Sequence, residues 1–267
     1  MRLLIINPNT TAGITALLER HARQVASPPM EVYGATARFG APYIACEASY
    51  AVAAHATLDA WAAALTDPMP VPDAVLIGCF GDPGLLALRD VSPIPVTGLA
   101  EASFLEASAF GRFAIVTGGA RWKPMLERLA HALGFSDRLA GICTVAPTGA
   151  QLAQDPAAAR VLLGNACQDA IRAFNAQAII VGGAGLAGVA ADLQGEVDVP
   201  LIDSVLAGTR CAVTRAGQRS QGSGRFDFTW QNLSPALMAL GCPFTQNPDP
   251  ALRPRSPPLS HNRASDL

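Results

Sequence analysis

The chain has 267 residues, of which 50% are hydrophobic and 15% charged, and its formal net charge is -2 at pH 7. This length and composition allow packed cores and exclude a disordered or fibrous chain. The sequence contains no block of lysine or arginine residues, so we predict no nucleic-acid partner. It also contains no run of 18 apolar residues, so we predict no membrane span.

The cysteine and histidine patterns argue against disulfides and metals. Six cysteines and four histidines are scattered at irregular spacings, with no C-x-x-C or H-E-x-x-H pattern. No dinucleotide fingerprint follows the first strand, and no P-loop is present. We therefore predict no metal and no cofactor. The N-terminal residues lack the apolar segment and cleavage site of a secretory signal, which favours a cytoplasmic location.

Short apolar runs alternate with helix-length segments along the chain. Residues 3–6 are predicted as a strand, and Thr10 and Thr11 precede a helical pattern that extends to about Val25. A strand at residues 30–33 and an alanine-rich helix over residues 45–65 follow. Further strands are predicted at residues 74–77, 95–96, 113–116, 178–181 and 200–202. This alternation is typical of βα units and a parallel sheet.

The strand patterns of the first half recur in the second half. Residues 75–81 resemble residues 179–185 at an offset of 104, and residues 94–97 resemble residues 199–202 at an offset of 105. A third match, between residues 3–7 and 113–117, has an offset of 110. Three matches in the same order predict two homologous lobes. The predicted boundaries are residues 1–97 plus about 205–245 for the first lobe, 98–204 for the second, and 246–267 for a disordered tail.

These features together predict an α/β fold of two pseudo-symmetric lobes. Each lobe is expected to contain a mainly parallel four-stranded sheet flanked by helices. Because α/β proteins bind ligands at the carboxyl ends of their strands, we predict the active site in the cleft between the lobes.

Cys79 lies at one of these strand ends and is the first candidate for chemistry. Asp82 and Pro83 are predicted as the N-cap and first residue of the following helix. A helix dipole and unpaired N–H groups next to the thiol would lower its pKa and favour a thiolate. A thiolate near neutral pH suits proton transfer to and from a carbon acid. A buried structural thiol is the alternative.

Other polar groups at strand ends could bind a small anion. Residues 7–11 open the first helix, and residues 117–119 are predicted to open a helix of the second lobe. Asn9 and Thr117 are the main candidates for binding a carboxylate or imide oxygen, and plain helix capping is the alternative. Glu101, at a predicted helix start, is interpreted as a cap or an interlobe contact.

Several segments resemble the hydantoin and allantoin racemase branch of the aspartate/glutamate racemase superfamily. They are NPNT at residues 7–10, the stretch 40–60, GCFGDPGL at 78–85, GLAEA at 98–102 and GGAGL at 182–186. The resemblance covers roughly residues 1–240. It implies cofactor-independent 1,1-proton transfer, in which two cysteines, one from each lobe, face each other across the α-carbon of the substrate. Cys79 matches the first of them.

The second thiol position departs from that family. Gly183 stands where the family usually has cysteine, and Gly118 stands where it usually has a second threonine. The internal repeat also makes Cys79 and Gly183 equivalent positions, and a glycine cannot exchange a proton with the far face of a planar intermediate. Three interpretations stay open: an engineered replacement, a one-base enzyme with water or a neighbouring group on the far face, or a reaction that needs a single proton donor, as in the related arylmalonate decarboxylases.

We therefore predict a racemase-type isomerase that acts on a hydantoin-, allantoin- or amino-acid-like carbon acid, with Cys79 as thiolate base or thiol acid. The resemblance implies that Tyr43 and Ile44 line the pocket, and it favours a homo-oligomer. The groups expected to hold the substrate's oxygens belong to Asn9, Phe80, Thr117, Gly118, Gly183 and Ala184. A single-cysteine lyase and a catalytically silent binding protein are the alternatives.

Overall fold

The computed structural model describes residues 1–26, 28–66, 71–147, 149–152, 154–220, 222, 226 and 229–241. Eight parallel strands in this part of the chain form two four-stranded sheets. One sheet contains β1 (Arg2–Asn7), β2 (Glu31–Thr36), β3 (Ala74–Ile77) and β4 (Val96–Gly98), in the order β2-β1-β3-β4. The other contains β5 (Phe113–Gly118), β6 (Leu139–Val145), β7 (Ala178–Gly182) and β8 (Leu201–Asp203), in the order β6-β5-β7-β8. The predicted α/β fold with two similar parallel sheets is confirmed.

Helices flank both sheets. The described residues contain α1 (Ala12–Val25), α2 (Glu47–Thr66), α3 (Leu85–Val91), α4 (Leu99–Ser108), α5 (Trp122–Ala132), α6 (Gly149–Leu152), α7 (Pro156–Phe174), α8 (Val189–Leu193), α9 (Ser204–Arg215) and α10 (Pro235–Leu240). Short 3-10 turns occupy Ala184–Leu186 and Gln194–Glu196. Helix α9 packs against α4 and α1, so the helix that follows the second sheet contacts helices that follow strands of the first.

The central strands are apolar because helices cover both faces of a parallel sheet. All four residues of β3 and all six residues of β5 are buried, and so are the last five residues of β1. Every residue of β7 is buried as well. Burial on both faces explains why these strands appear in the sequence as continuous apolar runs.

The strand register of the two sheets is similar where the central strands end. Ile6 pairs with Ile77 in the first sheet, so the residues after β1 and β3 emerge side by side. Thr117 pairs with Gly182 in the second sheet and places the residues after β5 and β7 in the same way. The chain segments that carry Cys79 and Gly183 therefore start from matching positions.

Two helix starts differ from the prediction. Helix α3 begins at Leu85 and is preceded by Gly84, so Asp82 is not its N-cap and Pro83 is not its first residue. Asp82 has a positive φ of 52°, and its carboxylate instead accepts hydrogen bonds at the start of α4. In the second half, residues 117–119 belong to β5 and a turn, and α5 begins only at Trp122. The prediction used only the local preferences of turn residues. The carboxylate of Asp82 is instead oriented by a helix that is distant in sequence.

The predicted lobe boundaries lie at Gly98, the end of β4, and within the start of α9. These boundaries stay a prediction. The predicted tail at residues 246–267 lies outside the described residues. Within the described residues, no helix is long and apolar enough to cross a membrane.

The turn after Cys79 gives a direct test of this fold. Gly84 has φ +83°, and a Cβ there would lie 2.9 Å from the carbonyl oxygen of Ala54 in helix α2. We expect Gly84→Ala to lower the free energy of unfolding by about 1–3 kcal/mol, because the left-handed backbone and the contact both oppose a side chain. Gly13→Ala is the control, since no atom lies within 4 Å of a Cβ at Gly13 in helix α1. That variant should be neutral or stabilised by roughly 0.5 kcal/mol in urea denaturation. Equal stability of the two variants would contradict the turn geometry.

Candidate active site

A cavity of about 250 Å³ lies at the carboxyl ends of the central strands. It contains eight of the nine residues predicted for the site: Asn9, Tyr43, Ile44, Cys79, Phe80, Thr117, Gly183 and Ala184. Gly118 does not line it. Eight further residues line the cavity and were not among those nine: Thr11, Ile14, Pro42, Gly78, Trp122, Gln154, Gly182 and Gly185. Trp122 and Gln154 carry no local pattern that marks them as site residues; the fold brings them to the cavity.

Cys79 follows β3 through Gly78, whose N–H donates to the carbonyl of Ile6 at 2.7 Å. The cysteine is 8% exposed and faces the cavity. Burial, followed by the negative charge of Asp82, raises the pKa of the thiol above its ordinary value. The prediction of a lowered pKa is therefore wrong. The reason is that burial disfavours the thiolate and Asp82 places a carboxylate nearby.

Asn9 is held in one orientation by its neighbours in the first turn. Its side-chain oxygen accepts hydrogen bonds from the backbone N–H of Thr11 at 2.9 Å and from the amide of Asn7 at 3.0 Å. Asn7 is itself fully buried, and its amide also donates to the hydroxyl of Thr15. Because the oxygen of Asn9 is occupied, its NH2 group is the part that can donate to a bound molecule.

The second half presents a different set of polar atoms to the cavity. The hydroxyl of Thr117 donates to the carbonyl of Gly182 at 2.7 Å, so its proton is already engaged and its lone pairs remain. The N–H of Gly183 donates to the hydroxyl of Ser204 at 3.2 Å. Gly183 has φ +149°, and a Cβ there would lie 3.3 Å from Leu186. A side chain at this position therefore requires the backbone to change.

Two aromatic rings lie on glycines of the opposite half. The ring of Phe80 covers Gly182, where a Cβ would lie 2.2 Å from a ring carbon. The ring of Trp122 covers Gly81 in the same way, at 2.5 Å. Phe80 also packs edge-to-face against Phe104, with ring centroids 6.4 Å apart. Besides lining the cavity, Phe80 thus packs between residues that follow strands of both sheets.

Helix α2 closes one side of the cysteine turn. The hydroxyl of Tyr50 donates to the carbonyl of Gly81 at 2.9 Å, and burial together with nearby acidic groups raises the pKa of Tyr50 to about 12. Glu47, one turn earlier, forms a two-pronged ion pair with Arg128 of helix α5. Tyr50 therefore acts as a neutral hydrogen-bond donor that fixes the backbone after Cys79.

Glu101 is buried and ion-paired in α4. Its carboxylate accepts hydrogen bonds from Arg89 of α3 at 3.0 and 2.8 Å and lies 3.4 Å from a guanidinium nitrogen of Arg215 in α9. Glu101 does not line the cavity. It links three helices and is not the N-cap of α4, which is Gly98, so the capping interpretation is wrong, and the interlobe contact stays a prediction.

Two parallel sheets whose strand-end turns line one small cavity are typical of an α/β enzyme that acts on a small molecule. Residues 3–212 match the family Asp/Glu/Hydantoin racemase, and the chain belongs to this family. It is 33% identical over 215 residues to a hydantoin racemase of Pseudomonas sp. (strain NS671), covering 80% of this chain and 85% of that one.

Solved structures agree with this assignment. The allantoin racemase of Pseudomonas fluorescens matches with a TM-score of 0.76 and 31% identity, over 80% of this chain and 90% of that one. Arylmalonate decarboxylase shares the fold, with a TM-score of 0.57 and 18% identity over 84% of this chain and 98% of that one. The predicted family and the predicted class of racemase-type isomerases are confirmed.

The thiols of Cys46 and Cys79 should differ in reactivity. The hydrogen bonds of Cys46 with Ser49 lower the pKa of that thiol, whereas burial raises the pKa of Cys79. Iodoacetamide reacts with thiolates, so at pH 7.5 we expect Cys46 to be alkylated at least about tenfold faster than Cys79. Peptide mass spectrometry over time measures both rates, and a Cys46→Ser variant checks that the Cys79 rate is independent. Equal alkylation rates would contradict a raised pKa for the Cys79 thiol.

Proposed function

We propose that the protein is a cofactor-independent racemase-type enzyme that acts on a 5-monosubstituted hydantoin or an allantoin-like carbon acid, with Cys79 as the proton-transfer group. The observation that carries this proposal is a thiol at the strand-end turn of one sheet, beside a cavity that the equivalent turn of the other sheet also lines. The family membership and the hydantoin and allantoin racemase relatives support the substrate class.

The proposed chemistry is proton exchange at the carbon next to a carbonyl group. The Cys79 thiolate takes the α-proton, and the electrons move onto the carbonyl oxygen, which the NH2 group of Asn9 stabilises. The thiol then returns a proton to the same carbon. Because burial and the charge of Asp82 raise the pKa of Cys79, the thiol must lose its proton before it acts as a base, whereas the neutral thiol can act directly as a proton donor.

The far face of the substrate is where this chain differs from a two-thiol racemase. Gly183 offers no proton, and Thr117 already donates its hydroxyl proton to Gly182. Water is therefore the proposed proton source on that face. The consequence is that exchange on the Cys79 face should be faster than inversion of configuration.

Exchange and inversion can be measured separately in D2O. The substrate is a single enantiomer of a 5-substituted hydantoin. We expect the rate of α-proton exchange, monitored by NMR, to exceed the rate of inversion, monitored by polarimetry. Cys79→Ala should lower the exchange rate by at least about 100-fold, because it removes the acid/base group. Cys46→Ala is the matched control and should retain exchange. Exchange that survives Cys79→Ala would refute the role of Cys79, and binding without exchange in the intact protein would indicate a silent homologue.

The same assay tests the missing thiol. Gly183→Cys should increase inversion relative to exchange, whereas Gly183→Ala carries the same backbone strain without a thiol and should not. The difference between these two variants isolates the proton-transfer group from the strain. If both variants change the ratio equally, the thiol at position 183 supplies no proton.

A single-cysteine lyase is the second candidate, and one observation favours it. Cys79 is the one cysteine among the lining residues that the structure describes, and its neutral state suits a proton donor. Decarboxylation of a malonate forms an enediolate that needs one proton and releases carbon dioxide. This candidate predicts Cys79-dependent carbon dioxide release from a disubstituted malonate, such as an α-aryl-α-methylmalonate, measured in a coupled assay, with one enantiomer of the chiral monoacid product in excess. Exchange of hydantoins without carbon dioxide release from malonates would reject it.

The remaining expectations belong to the same proposal. We propose a homo-oligomer in the cytoplasm, with the active site in a cleft between lobes of residues 1–97 plus about 205–245 and residues 98–204. Light scattering measures the oligomer directly.

A further inference from the structure

The carboxylate of Asp82 is buried beside the cysteine turn and belongs to none of the steps above. Asp82 is 1% exposed, and its two oxygens accept hydrogen bonds from the backbone N–H groups of Ala100 at 2.9 Å and Glu101 at 2.8 Å. These are orphan donors of the first turn of helix α4. Its own N–H donates to the carbonyl of Cys79 at 3.0 Å. One residue therefore connects the cysteine turn to the N-terminus of a helix that follows another strand.

The space for this carboxylate exists because residue 98 is a glycine. A Cβ on Gly98 would lie 2.1 Å from the carboxyl carbon of Asp82. Gly98 is the N-cap of α4 and has no side chain with which to cap that helix. The carboxylate of Asp82 occupies the position that a capping side chain of residue 98 would take.

In the second half of the chain, the helix that follows the last strand of the sheet is capped by a different residue. Gly98 pairs with Ile77 and Asp203 pairs with Val181, so Gly98 and Asp203 are equivalent in the two sheets. Asp203 caps helix α9 with its own side chain, accepting from Val205 and Leu206. Its second oxygen accepts from the N–H of Gly188, beyond the turn that contains Gly183. In the first half, by contrast, the capping carboxylate is carried by the cysteine turn itself.

We propose that Asp82 is a positioning residue for Cys79: its buried carboxylate, bound by the amides of Ala100 and Glu101, fixes the cysteine turn against helix α4 and places a negative charge beside the thiol. The charge opposes formation of the thiolate, and the helix amides that could have favoured a thiolate are used by Asp82 instead. The turn thus favours the protonated form of Cys79. This inference rests on the proposed role of Cys79 in proton transfer.

Charged and titratable groups surround the pair on several elements. Tyr50 on α2 faces both Cys79 and Asp82, while Glu101 on α4 and Arg89 on α3 act on Asp82. Burial raises the pKa of Asp82 to about 7, so above pH 8 the carboxylate is charged while the thiol titrates. Removing that charge should therefore lower the pKa of Cys79, although burial still keeps it above the ordinary value.

The test uses the pH dependence of Cys79 alkylation in the full chain, which needs no substrate. Asp82→Asn keeps the shape and tolerates the positive φ of 52°, but removes the charge. We expect its alkylation midpoint to fall by about one pH unit relative to the unaltered protein. Asp203→Asn is the matched control, because it removes the charge of an equivalent buried cap that does not act on Cys79, and its midpoint should be unchanged. Asp82→Ser, a neutral cap, replaces Asp82→Asn if that variant does not fold.

Each outcome decides the inference. A midpoint shift confined to the Asp82 variants supports it, whereas no shift, or an equal shift in Asp203→Asn, overturns it. If the unaltered protein exchanges α-protons, the exchange rate in Asp82→Asn should reach half its plateau at correspondingly lower pH, with a plateau about tenfold lower because the turn is loosened. If the unaltered protein exchanges no hydantoin proton, the proposed function fails, but the alkylation profile still tests Asp82.

Discussion

Two turns from different sheets can meet around one cavity only if their backbones approach closely, and glycine makes that approach possible. Phe80 lies over Gly182, and Trp122 lies over Gly81, so each half places an aromatic ring where the other half has no side chain. These reciprocal contacts bring the residues after β3 and β7 together and bury apolar area at the same time. The position of Cys79 relative to Gly183, and hence the chemistry available in the cavity, depends on them.

The electrostatic setting of the cavity follows from the same close packing. A thiol at the end of a buried strand is removed from water, and burial disfavours its charged form. The helix N-terminus that could offset this effect is already occupied by the carboxylate of Asp82. Tyr50 is likewise kept neutral, since burial and nearby acidic groups raise its pKa to about 12. The first half therefore presents neutral, oriented groups rather than a preformed thiolate.

The two halves share strand order but not the details of their turns. Cys79 is equivalent to Gly183, which has φ +149°. The capping carboxylate comes from the turn in the first half and from the strand end, at Asp203, in the second. The two halves of a pseudo-symmetric scaffold thus present different groups to the same cavity.

Much of this architecture could be predicted from the order of residues along the chain. Continuous apolar runs predicted the buried strands, because a strand covered on both faces by helices needs apolar side chains at every position. The recurrence of those runs predicted the second sheet, and the position of Cys79 and Asn9 directly after strands predicted that both lie at the cavity. These features depend on neighbours in sequence, so periodicity and local turn residues were sufficient to find them.

Other features depended on contacts between distant segments. The partner of Asp82 is a helix that starts 17 residues later, at Leu99, so a local capping rule assigned it to the wrong helix. The pKa of Cys79 was predicted in the wrong direction because its burial comes from packing, and because Asp82 was assigned as a helix cap and not as a charge that acts on the thiol. Trp122 lines the cavity because its ring packs on Gly81, which belongs to the other half of the chain. The sequence thus determines which strands form and what they carry, while the packing of the two halves determines how those groups are charged and paired.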